Sequence, residues 1–384
     1  MYNSRPVPAS RLSRLVHVGR IGSGIAGAAI GQGLRQLGAG QLPKASDLLM
    51  TPANAHRLAE RLSEMRGAAM KIGQLLSMEG GELLPAPLPD ILARLRESAH
   101  TMPLSQVAQV LDASWGPGWS DRFRRFRFTP LAAASIGQVH EAETRDGRHL
   151  AIKVQYPGIG RSIDSDLNNV GTLLRLFRLV PDGLELEPLL AEARSQLHRE
   201  ANYLFEAEQL RAYRSALGRQ PGYRIPGVAE DLTTRTVLAM ELVDGQPIES
   251  VATAPRRTRD RVARRLVELS LQEVFDWGLV QTDPNFANFR YRPEEDEIVL
   301  LDFGATRGLH PQRVEAFRTL IAASLGQDRA AVEAAAMAVG YLAPQDPPAY
   351  RRGIVKLLEN AAEPARHCLL YTSPSPRDQR PNRV

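Results

Sequence analysis

The 384-residue sequence has a single cysteine, Cys368, few aromatics (6%) and no run of about 18 apolar residues of the kind that spans a bilayer. One cysteine excludes an intramolecular disulfide. That cysteine opens CLLYTSPSPRD, which resembles the translation of a transposase adapter used in sequencing libraries, and its Ser/Pro/Arg character breaks from the helical text before it. Residues 368–384 are therefore read as a non-native tail, and the native chain as truncated near His367. Without Cys368 the native text has no thiol chemistry to offer.

A basic excess is also missing where nucleic-acid binding would need it. The formal charge is +5, but residues 1–50 carry +5 locally and residues 368–384 carry +2, which leaves the body at −2. No nucleic-acid partner is expected. The nearest approach to a membrane segment is IGSGIAGAAIGQGL, residues 21–34, preceded by Arg11, Arg14, His17 and Arg20. It reads either as a flexible leader or as a weak interfacial segment on anionic headgroups, and composition does not separate the two.

The remaining text is that of a globular α+β protein. Apolar residues at helical spacing run over 53–80 and 88–113, broken by Gly80-Gly81 and by Pro85, Pro87 and Pro89. A strand-rich stretch covers 126–155, and helical patterns follow over 163–179 and 186–217. VLAMELV at 237–243 reads as a buried strand ending at Asp244-Gly245. Helical text returns at 258–277, and FRYRPEEDEIVLLDFG reads as a hairpin turning at Pro293–Asp296.

Lys153 ends an apolar strand, Asp283 and Asn288 share one loop, and Asp302 follows an apolar strand. A phosphoryl-transfer site needs a fixed cation for phosphate oxygens, a carboxylate to hold it, oxygen ligands for Mg2+, and a carboxylate near the nucleophile. Asp283-Pro-Asn-Phe-Ala-Asn288 supplies the D-x-x-x-x-N step, and Asp302-Phe303-Gly304 follows after one hairpin. Glu200 and Glu206 compete for Lys153. On one continuous helix, six residues rotate them about 120° apart, so one pairs with Lys153 and the other faces Lys71 or a metal; the sequence leaves open which.

From Arg66 to Gly308 the chain resembles the UbiB (AarF-related) family of atypical kinases, which have a protein-kinase-like fold and are tied to ubiquinone metabolism. Lys71-Ile72-Gly73-Gln74 is similar to that family's K-x-G-Q signature. Residues 132–139, AAASIGQV, are similar to its alanine-rich loop, with Ala132 and Ala134 where ordinary kinases carry glycine. Glu200-Ala201-Asn202-Tyr203 with Glu206 resembles its E-x-D-Y-x-x-E-A helix. The resemblance implies a two-lobed fold with an N-terminal helical extension. Residues 1–50 would be a basic, Gly-rich leader and 51–125 the extension bearing K-x-G-Q. Residues 126–243 would form the N-lobe and 244–367 a truncated C-lobe.

The resemblance further implies Mg2+ and ATP as cofactors. Asp283, Lys153, Lys71 and Gln74 would be catalytic. Ala132, Ala133, Ala134, Ser135, Gly137, Lys153, Glu200, Glu206, Glu241 and Val243 would contact the nucleotide, and Asn288 and Asp302 the metal. Alanine adds methyls where backbone should approach phosphate, so the loop should be stiffer, with Ser135 and loop N–H groups as phosphate donors. Partners would be a lipid or quinone precursor, a biosynthetic complex and an anionic membrane surface, with a cytoplasmic location peripheral to the inner membrane of a bacterium. A pseudokinase scaffold and a soluble-alcohol phosphotransferase are the alternative readings. Asn202 departs from the family's aspartate, and Gln281 and the D-P-N-F-A-N run from its H-x-D-P-H-P-G-N.

Overall fold

The computed structural model describes residues 62, 65–80, 101–176, 179–180, 185–283 and 285–370. The expectations for the leader, for most of 51–64, for all of 81–100 and for 371–384 fall outside them. The chain divides into two compact units, Met1–Glu249 with Asn285–Ala305, and Ser250–Pro284 with Thr306–Val384.

The first unit is built on an antiparallel sheet in the order β1 (Phe123–Phe126), β3 (Gly137–Thr144), β4 (His149–Gln155), β6 (Val237–Glu241), with the short β2 (Ala132–Ala133) also pairing with β3. In the β3–β4 hairpin Val139 faces Lys153, and on the other side Lys153 faces Leu238 of β6. β4 is therefore central, and five of its residues after His149, besides Lys153, are buried. A lysine placed there is carried into the interior by the strand, not by its own preference.

Helices α1 (Arg66–Gly80) and α2 (Leu104–Trp115) precede the sheet. Helices α3 (Ile159–Leu176), α4 (Leu186–Glu200) and α5 (Tyr203–Leu217) follow β4. Helix α3 shows why its sequence folds so: Ile159, Ile163, Leu167, Val170 and Leu174 recur at steps of three and four and are all buried. The continuous helix expected over 186–217 is interrupted. Asn202 takes an extended conformation (φ −121°, ψ 91°) and caps α5, so Glu200 and Glu206 lie on different helices. The two carboxylates are therefore not related by 120° of rotation about a single helix axis. Asn has weak helix preference, which permits the break, and its side chain makes no capping hydrogen bond to α5.

A second sheet runs β5 (Tyr223–Arg224), β10 (Glu297–Leu300), β9 (Phe289–Arg292), β7 (Gln246–Pro247). The hairpin expected at 293–296 forms with Arg292 opposite Glu297, and Asp296 takes the left-handed conformation (φ 55°) that closes the turn.

Ahead of the site, a buried polar relay ties the 101–103 segment to β3. The Met102 N–H donates to Gln138 Oε1 (2.8 Å), Gln138 Nε2 donates to His140 Nε2 (2.9 Å), and His140 Nδ1 donates to the Arg127 carbonyl (2.9 Å). A carbonyl can only accept, so Nδ1 carries the proton and the ring is neutral. Burial holds the His140 pKa below its ordinary value, against the Arg127 carbonyl, which raises it. His140→Leu should cost about 1–3 kcal/mol at pH 8, because it strands the buried Gln138 amide and unpairs the Arg127 carbonyl. The gap between wild type and variant should shrink as pH falls below 6.5, where the unfolded histidine takes up a proton that the folded one resists. Chemical denaturation of both proteins at several pH values checks this.

The second unit holds α6 (Arg256–Gln272), a π-helical turn (Glu273–Trp277), the pair β8 (Leu279–Gln281) and β11 (Thr306–Gly308), and helices α7 (Pro311–Gly326), α8 (Arg329–Val339) and α9 (Pro348–Leu370). Thr306 pairs with Gln281. Leu320, Val332, Ala335, Ala336, Val339, Leu342 and Val355 form its core. Among the described residues no helix is long and apolar enough to cross a membrane.

Candidate active site

Two buried lysines and three carboxylates converge in the first unit. Lys153 Nζ donates to both oxygens of Glu206 (2.9 Å each) and reaches Asp302 Oδ2 at 3.5 Å. Lys71 Nζ meets Glu200 Oε1 at 2.6 Å. The open pairing question is thus settled: Glu206 holds Lys153 and Glu200 holds Lys71. The signal lay in the helix pattern. Glu206 shares the buried stripe of Tyr203, Ala207, Leu210, Tyr213 and Leu217, and is 2% exposed. A carboxylate on an apolar stripe is rarely tolerated unless a cation meets it.

Gly304 marks the centre of this cluster. A methyl on it would sit 3.3 Å from Asp302 Oδ1, 3.6 Å from Glu206 Oε2 and 3.8 Å from Glu200 Cγ. Its own N–H donates to Asp302 Oδ1 (2.9 Å). Phe303 is buried and packs on Tyr213 of α5 (centroids 5.0 Å apart), which anchors the backbone that presents Asp302. Asn288 stands at the mouth of the same hairpin, where its carbonyl accepts from the Leu301 N–H (3.0 Å). The two expected metal ligands therefore flank one hairpin.

The electrostatics follow from burial and from the alternation of charges. Burial pushes Glu206 up to about 7, with Asp302 and Glu200 adding to the rise and Lys153 opposing it. Burial alone would depress Lys153, but Asp302 and Glu206 outweigh it and raise its pKa well above the usual value. For Asp302 the burial effect is likewise overcome by Lys153, the Gly304 N–H and Lys71, which hold its carboxyl below the ordinary range. Its side chain remains 39% exposed, unlike that of Glu206. Lys153 is thus a fixed cation with one buried and one open carboxylate partner.

The loop before β3 shows how alanine is accommodated. Ala132 and Ala133 are strand residues opposite Val139 and Gln138, and none of Ala132, Ala133 and Ala134 takes a positive φ. The Ala134 N–H donates to the Gly137 carbonyl (2.9 Å), so that amide closes the loop on itself. The Ser135 hydroxyl, expected as a phosphate donor, instead donates to Glu200 Oε2 (3.2 Å). The nearest anion has captured it. Helix α1 closes on this loop at Gly67, where a Cβ would lie 3.1 Å from Ile136 Cγ2. On that helix Lys71 and Gly73 are buried and Gln74 is exposed.

Other expected positions have local partners or surroundings of their own. Glu241 accepts from Arg224 and from the Gly227 N–H (3.2 Å), so its carboxylate serves a local contact. Val243 is half-buried. Asp283 belongs to the second unit, where its N–H donates to Gln281 Oε1 (3.2 Å).

Tyr203, in the same motif as Glu200, also meets Lys153. Its ring lies 5.2 Å from Lys153 Nζ, and its buried hydroxyl points at Gly137 without a hydrogen-bond partner. It therefore forms an aromatic floor under the lysine. Its place three residues before Glu206, on the same stripe, is the sequence signal. Asn202 Oδ1 is likewise buried without a partner.

This architecture is a protein-kinase-like fold with an added helical extension. Residues 94–336, well over half of the chain, match the family described as ABC1 atypical kinase-like domain. The chain is 37% identical over 339 residues to the mitochondrial atypical kinase COQ8 of Saccharomyces cerevisiae, covering 88% of this chain and 68% of the yeast protein. It is 37% identical over 332 residues to mitochondrial COQ8B of Danio rerio, covering 85% and 53%. The structure of Rv3197 with erythromycin from Mycobacterium tuberculosis superposes with a TM-score of 0.56 at 28% identity, over 81% of this chain and 78% of that one. The chain belongs to the ABC1/UbiB family of atypical kinases. It spans roughly half to two thirds of the length of these two curated relatives.

Proposed function

We propose that the chain binds Mg2+ and ATP around Lys153 and transfers the terminal phosphoryl group, to water or to a small molecule, in support of ubiquinone or related lipid metabolism at a membrane surface. The observation that carries this is the Lys153 ammonium held between buried Glu206 and open Asp302. The donor set fits the group. Lys153 offers a fixed charge for phosphate oxygens, and Asp302 and Asn288 offer a carboxylate and an amide oxygen of the hard kind Mg2+ takes. Bound magnesium would neutralise charge that develops on the transferred phosphoryl group. Asp283 would accept the proton of the nucleophile or orient it. The Ser135–Glu200–Lys71 contacts tie the alanine loop to α1, and this supports restricted access by large substrates.

Asp302→Asn should lower Mg2+-dependent ATP hydrolysis by about 10²-fold or more, the usual cost of losing one electrostatic contact to the transition state. A rate equal to the parent's would refute the assignment. Asn202 in place of the family's aspartate, which removes a charge, and the alanine loop favour a second reading, a nucleotide-binding scaffold, which a thermal shift with ATP and no turnover would select.

A further inference from the structure

A cleft of about 420 Å³ opens in the first unit, between α2, the β4–α3 turn, the end of α4 and the approach to β6. None of the residues of the Lys153 cluster lines it. Its volume falls in the range of about 300–1,000 Å³ usual for small-molecule sites. Apolar contact comes from Val110 and Ala113 of α2 and from Ile159 at the start of α3.

The charges around it are of one sign. Arg161 and Arg235 both line the cleft, and no carboxylate does. Both are exposed, and no side-chain hydrogen bond or ion pair among the described residues engages either guanidinium. This sets them apart from their neighbours: His198, the third basic residue of the lining, is matched to Asp164 (3.2 Å), and Arg194 meets the same carboxylate (3.0 Å). Two guanidiniums left without acids beside an apolar wall suit a ligand with an oxyanion at one end and an apolar body at the other.

We propose that this cleft is a second small-molecule site that takes an organic phosphate, its phosphate held by Arg161 and Arg235 and its apolar body against Val110 and Ile159. The site is independent of whether the Lys153 cluster turns over ATP.

The test uses the full chain and phenyl phosphate as probe, followed by calorimetry. Saturable binding is expected, with benzyl alcohol and inorganic phosphate each at least tenfold weaker. Arg161→Gln and Arg235→Gln should each weaken binding by about tenfold, as loss of a charge-assisted contact does. Ala113→Phe, which fills the cleft from an exposed helix position, should abolish it. Arginine variants within twofold of wild type, or full binding by Ala113→Phe, would overturn the proposal. Capture by phosphatidate vesicles without saturable phenyl phosphate binding would overturn it as well.

Discussion

Gly137→Ala is expected to destabilise the first unit by ~3 kcal/mol or more and to weaken nucleotide binding at least tenfold. The added methyl would lie 2.4 Å from the Val154 carbonyl oxygen and 2.8 Å from the Tyr203 hydroxyl. The first of these is backbone in the central strand and cannot rotate away. Relief requires β3 to move off β4, next to Lys153, or the loop to swing from α1. Tyr203→Phe removes the smaller conflict and should not rescue the variant. Gly308→Ala provides the control: a methyl there meets nothing within 4 Å and φ is not positive, so stability should stay within ~0.5 kcal/mol of wild type. Urea unfolding of the three variants gives the answer, and a Gly137→Ala protein as stable as its parent would show that the hairpin geometry is wrong.

Lys153→Met should abolish at least about 99% of ATP turnover while sparing the fold, because it removes the cation proposed to meet the phosphates. Loss of one partner from a buried ion pair can cost ~3–5 kcal/mol. Here the cost should be lower. Glu206 already titrates near 7, and without Lys153 it would simply carry a proton at neutral pH. The same residue sets a pH dependence. In the free protein kcat/KM should fall as pH drops through about 7, when Glu206 protonates and its grip on Lys153 loosens. The contribution of Glu206 to stability runs the other way. Its folded pKa lies above its unfolded value, so that contribution is full below 4.5 and is lost as pH rises through about 7. Parallel rate and denaturation profiles separate the two effects.

Part of this cluster was legible from residue order, and part, Lys71 and Glu200 above all, only through the family resemblance. The hairpin at 289–300 announced itself by a polar Pro-Glu-Glu-Asp turn between apolar strands, and the lysine by its place after Leu150, Ala151 and Ile152. The division of labour between Glu200 and Glu206 was not legible while 186–217 was taken as one helix, because a break at a single capping residue resets the phase of everything after it. Reading the stripe from Tyr203 onward would have placed Glu206 inside. The engagement of Ser135 by Glu200 was beyond the sequence for another reason: it joins residues 65 positions apart through a loop-to-helix contact that no local pattern encodes. Tyr203 lay in plain view within its motif, but an aromatic at a core spacing gives no hint of a cation above its ring.

The most direct test is a calorimetric titration of the full chain with ATP, with and without Mg2+, on wild type and Asp302→Asn. Wild type should bind ATP more tightly when Mg2+ is present, and Asp302→Asn should lose that enhancement. Equal binding by both proteins, or no binding by wild type with Mg2+ present, would contradict a nucleotide site built on Lys153, Glu206 and Asp302.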